Sequence, residues 1–283
     1  MKLEVKNLRK RYGQNLVLDS ISLTFESGNI YGLFGRNGAG KSTLFRCIND
    51  LLPYDDGSIL LDGAEYRDLT KEKRKLLAIA NEDNLFPADA NIKAMACAYA
   101  YVRNIDEEKL LSDIDRFSIP ARKKWEKLST GERTMLKNVF AINSGASFIF
   151  LDEPVLGLDA INRDELYRRL LEDFSEEKTY IISSHIIDEV ASFASYIYFL
   201  DPKRIVLEGE SELIQQQGFI LSGSSVDLAG VKGNFSIISR GNRLGSEYMC
   251  ILGKIEEIPA SVKAEKTDLQ QLFIEMTKGG NGK

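Results

Sequence analysis

The chain has few cysteines, a single histidine and no long apolar run. Its three cysteines, Cys47, Cys97 and Cys250, lie far apart and show no spacing typical of a metal site or of paired disulfides. This pattern fits a reducing compartment such as the cytoplasm. The longest apolar-rich stretch, residues 94–102, is far shorter than the roughly 20 residues that a membrane-spanning helix needs. These absences predict a soluble protein that reaches a membrane only through a partner.

The charge balance predicts no nucleic-acid partner. The 283 residues include 37 Lys plus Arg against 42 Asp plus Glu, for a net charge of −5. Nucleic-acid-binding proteins usually carry a basic face, and the basic run at residues 9–11 is more simply interpreted as solvated surface. The first eight residues alternate apolar and polar side chains like a strand, which is unlike a secretory signal.

Residues 33–44, LFGRNGAGKSTL, combine three glycines with a lysine and two hydroxyl side chains. Glycines let a loop direct successive N–H groups at one small anion, and the helix expected to follow adds its positive end. Lys41 would supply a charge to the outer phosphates, and Ser42 would bind Mg²⁺. The pattern predicts a phosphate-binding loop for a nucleoside triphosphate, formed by Gly35, Arg36, Asn37, Gly38, Ala39, Gly40, Lys41, Ser42 and Thr43.

Strand-like and helical segments alternate through most of the chain. Strand-like runs at residues 148–151 and 179–183 are each followed by a helical pattern. This order predicts an α/β core with parallel strands, and such sheets bind ligands beyond the carboxyl ends of their strands. After residue 217 short strands and glycines predominate, so we predict a main domain at 1–217 and a small accessory domain at 218–283.

An apolar run ends in two acidic residues at residues 148–154, FIFLDEP. A buried strand there would bring Asp152 and Glu153 to the crevice that holds the phosphates. Asp152 suits the binding of Mg²⁺, and Glu153 suits a general base that activates water. An acidic turn without chemistry is the simpler alternative, but the phosphate loop upstream favours the catalytic interpretation.

Residues 128–133, LSTGER, open a predicted helix that leads directly into this acidic strand. Ser129 and Glu132 have capping-box spacing, so the stretch could be a helix start and nothing more. Its position between the phosphate loop and the acidic strand favours a functional role.

In this order the motifs resemble those of the nucleotide-binding subunits of ATP-binding-cassette (ABC) transporters, over at least residues 1–215. LSTGE stands for the family signature LSGGQ, Asp159 belongs to the aspartate loop, and Tyr12 and His185 match the family's aromatic residue and histidine. The resemblance implies an α/β fold. It comprises a P-loop NTPase core with a mixed sheet, an N-terminal antiparallel β subdomain, an inserted helical subdomain at about 87–144 and a small C-terminal accessory domain.

The resemblance also implies how the site works. Tyr12 would stack on the adenine ring, and Asp159 would join the nucleotide-binding residues. His185, the only histidine, would donate a hydrogen bond to the γ-phosphate or position the attacking water. Two copies would sandwich two ATP molecules, so that Ser129 and Gly131 of one copy cap the γ-phosphate held by the other.

The sequence departs from the family pattern at two motifs. Thr130 replaces the first signature glycine, which adds a side chain near the partner's nucleotide, and Glu132 replaces the glutamine. The loop that normally carries a glutamine reads ANEDNLFP and has none. Either Asn81 or Glu82 would then supply the oxygen that faces Mg²⁺ or water.

The resemblance implies a partner as well as an activity. We expect an ATP-hydrolysing homodimer that powers a separate integral membrane permease, and that therefore lies at the inner face of the cell membrane. The tail, TDLQQLFIEMT, is similar to that of exporter-type subunits, although its helix could equally pack Leu269, Leu272 and Phe273 inward. The alternatives are a soluble ABC ATPase without a transport role and a binding module that does not hydrolyse ATP.

Overall fold

The computed structural model describes residues 1–83, 86–243 and 246–278, which form three β-sheets and the helices around them. The strands are β1 (Lys2–Tyr12), β2 (Asn15–Glu26), β3 (Ile30–Gly35), β4 (Asp56–Leu61), β5 (Ala64–Glu65), β6 (Leu77–Ala80), β7 (Phe148–Asp152), β8 (Thr179–Ser184), β9 (Tyr196–Asp201), β10 (Arg204–Glu210), β11 (Gly218–Gly223), β12 (Lys232–Arg243), β13 (Ser246–Glu257) and β14 (Lys263–Lys266). The helices are α1 (Lys41–Ile48), α2 (Lys71–Arg74), α3 (Ile92–Arg103), α4 (Glu107–Arg116), α5 (Thr130–Ile142), α6 (Ala160–Asp173), α7 (Ile187–Ala191), α8 (Ser211–Gln217), α9 (Ser225–Ala229) and α10 (Leu269–Lys278).

The central sheet has six strands in the order β10-β9-β3-β8-β7-β6. Strands β9 to β6 are parallel, whereas β10 is antiparallel to β9. Strands β3, β7 and β8 are buried along their whole length, as expected for a parallel sheet covered on both faces. The register pairs Asp152 with Ser183 and Phe34 with Ser184, so the carboxyl ends of β3, β7 and β8 meet at one edge.

The N-terminal strands form a separate antiparallel sheet in the order β2-β1-β4-β5. Its inward side chains share one hydrophobic cluster with α1 and the central sheet. Phe25 of β2, for example, meets Phe150 of β7 edge-on, with ring centroids 6.0 Å apart. This is the antiparallel subdomain that the sequence predicts, and its packing against α1 supports the phosphate loop from one side.

Helices α3 to α6 begin at polar N-caps. The side chains of Asn91, Asp106, Ser129 and Asp159 each accept a hydrogen bond from the backbone N–H three residues later. These bonds satisfy N–H groups that a helix leaves without an internal partner. Helices α3 to α5 lie in the chain between β6 and β7, within the segment for which the sequence predicts helices.

A buried ion pair joins the helical segment to α6. Asp113 of α4 accepts hydrogen bonds from Arg169 of α6 at 2.6 Å and from Asn143 at 2.6 Å. Two further ion pairs have their cation on α4, since Arg116 pairs with Glu165 and Glu172 of α6. Because α6 follows directly on the loop that contains Asp159, these contacts connect the helical segment to a predicted site residue.

The third sheet is antiparallel, in the order β12-β13-β11-β14. Strands β11 and β14 are short, as the sequence predicts, but the prediction is wrong for β12 and β13, which are each 12 residues long. Helix α10 turns Leu269, Leu272 and Phe273 inward, and Phe273 packs on Phe199 of β9 with ring centroids 5.1 Å apart. The boundary between residues 217 and 218 stays a prediction; residues 244, 245 and 279–283 of the predicted accessory domain lie outside the described residues.

Candidate nucleotide-binding site

The phosphate-loop sequence connects β3 to α1 at the carboxyl edge of the central sheet. Gly40 is the N-cap of α1 and adopts the left-handed conformation, with φ of 109°. A side chain at Gly40 would be strained at this φ and would press on Leu18 of β2, whose Cδ2 would lie 2.9 Å from its Cβ atom. No side chain caps α1. Its first N–H groups are therefore available to bind an anion.

Lys41 folds back over this loop. Its side chain is only 6% exposed, and its Nζ donates a hydrogen bond to the carbonyl oxygen of Gly35 at 2.8 Å. The same Nζ lies 3.2 Å from Oε1 of Glu153. The ammonium group is thereby held beside the loop, where it can bind phosphate oxygens.

The carboxylate of Asp152 is buried and lies beside two hydroxyl groups. It accepts a hydrogen bond from Oγ of Ser183 and faces the hydroxyl of Ser42. Burial raises the pKa of Asp152, and the two hydroxyl groups oppose that change. A desolvated carboxylate beside a hydroxyl is the oxygen donor set that Mg²⁺ prefers. Across the part of the chain that the structure describes, no group of three or more His, Cys, Asp or Glu could hold a metal. Asp152 and Ser42 could supply two oxygen ligands to Mg²⁺, with phosphate oxygens and water as the others.

Glu153 contacts two other predicted site residues, His185 and Lys41. Its Oε2 lies 2.7 Å from Nδ1 of His185, while its Oε1 faces Lys41. The backbone of Glu153 has a φ of 48°, which is uncommon for a residue with a side chain. Its N–H donates to the carbonyl oxygen of Ser183 at 3.1 Å, which fixes this conformation. The strained backbone is thus stabilised at a position that bears the candidate general base.

The signature segment is a helix start as well as a candidate binding surface. Ser129 and Glu132 form the predicted capping box, and Glu132 also pairs with Lys123 at 2.9 Å. Burial alone would raise the pKa of Glu132, but hydrogen bonds from Ser129 and Lys123 outweigh it and lower the pKa. A Cβ atom on Gly131 would lie 2.6 Å from the carbonyl oxygen of Gly157, so the signature packs directly on the aspartate loop.

The signature begins α5, a helix whose middle contacts the loop that follows β7. In the middle of α5, Asn138 donates to the carbonyl oxygen of Pro154, just beyond the carboxyl edge of the sheet, at 2.7 Å. Ser129 precedes Asn138 by two and a half helical turns, or about 13 Å along the helix. Within the described residues, no hydrogen bond or ion pair connects residues 128–132 to residues 35–43.

Comparison with known proteins gives the family. The family model described as ABC transporter matches residues 18–156. The chain is 32% identical over 214 residues to the lantibiotic transport ATP-binding protein SrtF of Streptococcus pyogenes. This alignment covers 74% of the chain and 90% of the relative. The chain belongs to the ABC transporter ATP-binding proteins. It is also 31% identical over 200 residues to the ABC transporter ATP-binding protein YtrB of Bacillus subtilis, covering 70% of this chain and 68% of the relative.

Two solved structures confirm the predicted fold class of this ABC protein. An ATP-binding subunit of an ABC transporter aligns with a TM-score of 0.68 at 23% identity, over 76% of this chain and 93% of that chain. A dimeric bacterial ABC transporter cassette aligns with a TM-score of 0.65 at 19% identity, over 74% of this chain and 98% of that chain.

A third relative covers more of the chain. The Nod factor export ATP-binding protein I of Sinorhizobium fredii is 25% identical over 97% of this chain and 85% of the relative.

The two candidates for the glutamine position of the ABC protein lie in one small pocket. Asn81 and Glu82 line it together with Asp152 and Glu153. Asn81 is buried and exchanges hydrogen bonds with Asp83, whereas the carbonyl oxygen of Glu82 accepts from Lys137. Both residues therefore stay candidates.

Other site residues are arranged as follows. Tyr12 ends β1 and is 47% exposed. Asp159 uses one carboxylate oxygen to cap α6 and the other to bind the side chain of Asn162. Sequence reasoning missed Ser183, which binds Asp152 through its hydroxyl and Glu153 through its carbonyl group. The only signal was a hydroxyl residue at the carboxyl end of a predicted strand, two positions before His185.

Proposed function

We propose that this ABC protein hydrolyses ATP in a site completed by a second copy, and that it thereby powers a separately encoded membrane permease, as an exporter. The observation that carries the proposal is the position of Glu153 between Lys41 and His185, at 3.2 and 2.7 Å. A carboxylate held between a phosphate-binding ammonium and an imidazole lies where an attacking water must be deprotonated.

Each residue has one task in the proposed reaction. The loop N–H groups and Lys41 bind the β- and γ-phosphates. Glu153 accepts the proton of the attacking water, and His185 orients Glu153 and the γ-phosphate. Tyr12 stacks on the adenine. These groups position the reactants and stabilise charge, which is most of what phosphoryl transfer requires.

Ser42 and Asp152 would hold Mg²⁺. The ion would neutralise charge on the β- and γ-phosphate oxygens. Ser183 keeps the Asp152 carboxylate in place through its hydroxyl hydrogen bond. Either Asn81 or Glu82 contributes the additional oxygen from the pocket that they share with Asp152.

A second copy would complete the site. Ser129 is exposed at the start of α5 and, within the described residues, has no bond to its own phosphate loop, so its surface suits a partner's γ-phosphate. A two-fold axis would then form two equivalent sites at once. The contact between Gly131 and Gly157 ties the signature to the aspartate loop, so both move together when the dimer closes.

An apolar groove on the helical segment supports a permease partner. Its volume is about 370 Å³, and its lining is almost entirely apolar: Phe86, Pro87, Ala90, Ala94, Met95, Ala98, Tyr99 and Val102. A short amphipathic helix of another protein fits such a groove. No described helix has both the length and the apolar character needed to cross a bilayer, so the transport path would belong to that other protein.

The direction of transport rests on the relatives. The Nod factor export protein matches nearly the whole chain, including the third sheet, whereas the alignment with a petrobactin import protein of Bacillus subtilis covers 74% of it. The extended match favours an exporter.

A charge placed in the groove should separate hydrolysis from coupling. Ala98 is exposed on α3, and Ala98→Glu should abolish co-purification with the permease because it buries a carboxylate in an apolar contact. Phosphate release by the isolated protein should stay within about twofold of the parent, since the groove is separate from the phosphate loop.

The measurement is recovery of membrane proteins with the tagged chain from native membranes. Ala64→Glu, an exposed alanine on β5, is the matched control and should behave like the parent. Recovery of no membrane protein with the parent would favour the soluble ABC ATPase. Full recovery with Ala98→Glu would reject the groove as the contact.

A further inference from the structure

Lys10 is buried without an anionic partner. Only 8% of the residue is exposed, and within the described residues its Nζ makes no hydrogen bond or ion pair. The interpretation of residues 9–11 as solvated surface is therefore wrong for Lys10. The reason is a bulge: Asn7 has a φ of 50°, and the pairing with β2 shifts between Val5 and Leu8, which turns Leu8 and Lys10 inward.

Because its side chain packs inside the fold, the surroundings of Lys10 are informative. Lys10 lies opposite Leu18, the residue that packs on Gly40 of the phosphate loop. Its charge also acts on Cys47 of α1, whose thiol has a pKa raised to about 11 by burial, with Lys10 partly opposing that rise. Lys10 is therefore close to the helix that begins at the phosphate loop.

Lys10 also contacts the aromatic ring of Tyr12. Its Nζ lies over the ring, 5.3 Å from the centroid. Tyr12 is half exposed and, within the described residues, has neither a hydrogen bond nor another aromatic neighbour. The cation covers one face of the ring. The opposite face is the one on which a base can stack.

We propose that Lys10 is a positioning residue for adenine recognition, whose ammonium holds the Tyr12 ring in the orientation that stacks on the base of ATP. The inference rests on the proposed role of Tyr12. A cation over an aromatic face is a favourable contact, and fixing the ring in advance reduces the entropy lost when the base binds. The competing explanation is a purely structural role, because a cation near the C-terminal end of α1 would also interact favourably with the helix dipole.

The test compares two ligands, ATP and inorganic tripolyphosphate, by isothermal titration with Lys10→Met. The substitution keeps the length of the side chain and removes its charge. We expect the Kd for ATP to rise about tenfold. The Kd for tripolyphosphate should not change, since that ligand has no base. A structural role would weaken both ligands together and lower the melting temperature.

A double-mutant cycle shows whether Lys10 acts through Tyr12. Tyr12→Leu should weaken the binding of ATP but not that of tripolyphosphate. Adding Lys10→Met to Tyr12→Leu should have no further effect on ATP binding. Lys6→Met, on the exposed part of the same strand, is the matched control, and Lys10→Arg should keep most of the affinity.

Two failures are distinguishable. Equal losses for both ligands, or an unchanged Kd for ATP in Lys10→Met, would overturn the inference while leaving Tyr12 in place. Unchanged ATP affinity in Tyr12→Leu would instead reject the stacking role of Tyr12, and the inference with it.

Discussion

Glu153→Gln is expected to bind ATP with near-normal affinity and to lose turnover by about 10²- to 10⁴-fold, the range that a positioned general base contributes. Glutamine keeps the shape of the side chain and can still contact His185 and Lys41, which lie 2.7 and 3.2 Å from the carboxylate. It cannot accept a proton from water. Because ATP then persists, the closed dimer should accumulate, which light scattering and phosphate release would record together.

Glu165→Gln is the control for this experiment. Glu165 is a partly buried carboxylate that pairs with Arg116, outside the pocket of Asp152 and Glu153. The Glu165→Gln variant should hydrolyse ATP like the parent and form no more ATP-dependent dimer than the parent does. Near-normal phosphate release by Glu153→Gln would reject Glu153 as the base.

Lys41→Ala is expected to weaken ATP binding by a few kcal/mol, or roughly two orders of magnitude in Kd. The Nζ of Lys41 is buried beside the loop and bonded to Gly35, so the substitution removes a cation that the loop itself holds in place. The substitution also leaves the Glu153 carboxylate without its ammonium partner. Equilibrium binding of a fluorescent ATP analogue would measure the effect.

A surface lysine provides the comparison for Lys41. Lys71 is exposed in α2, and Lys71→Ala should bind the analogue like the parent. If Lys41→Ala also binds normally while its melting temperature is unchanged, the phosphate loop does not hold the nucleotide in the way proposed.

The local structure was largely predictable from the sequence because its signals are local. Asn91, Asp106, Ser129 and Asp159, residue types that favour helix N-caps, each lie at the start of a helix. The phosphate loop and the acidic strand are contiguous motifs, so their contents could be read without knowledge of the fold.

The network around Asp152 was not predictable in the same way. The hydrogen bond from Ser183 to Asp152 exists because β7 and β8 pair in a register that places these residues side by side. They are 31 positions apart in the chain, and parallel pairing leaves no local sequence signal for register. The contacts of Glu153 with Lys41 and His185 depend on the same register.

Two errors have an identifiable physical cause. Lys10 was assigned to the surface by charge, but the bulge at Asn7 reverses which side chains point inward. Glycines after residue 217 suggested short strands, yet Gly253 lies inside β13. A Cβ atom there would come within 2.4 Å of the carbonyl oxygen of Asn234 on the paired strand, so that glycine permits a close approach instead of ending the strand.

The central claim is that Ser129 of one copy completes the site held by Lys41 of another, and mixed dimers test it most directly. Lys41→Ala removes the phosphate contact in one chain. Ser129→Asp keeps an N-cap for α5 but places a negative charge against the partner's γ-phosphate. Each variant alone should release almost no phosphate. An equal mixture should recover roughly a quarter of the parent's rate, because half of the dimers then contain one intact site. A mixture as inactive as its two components would contradict the account.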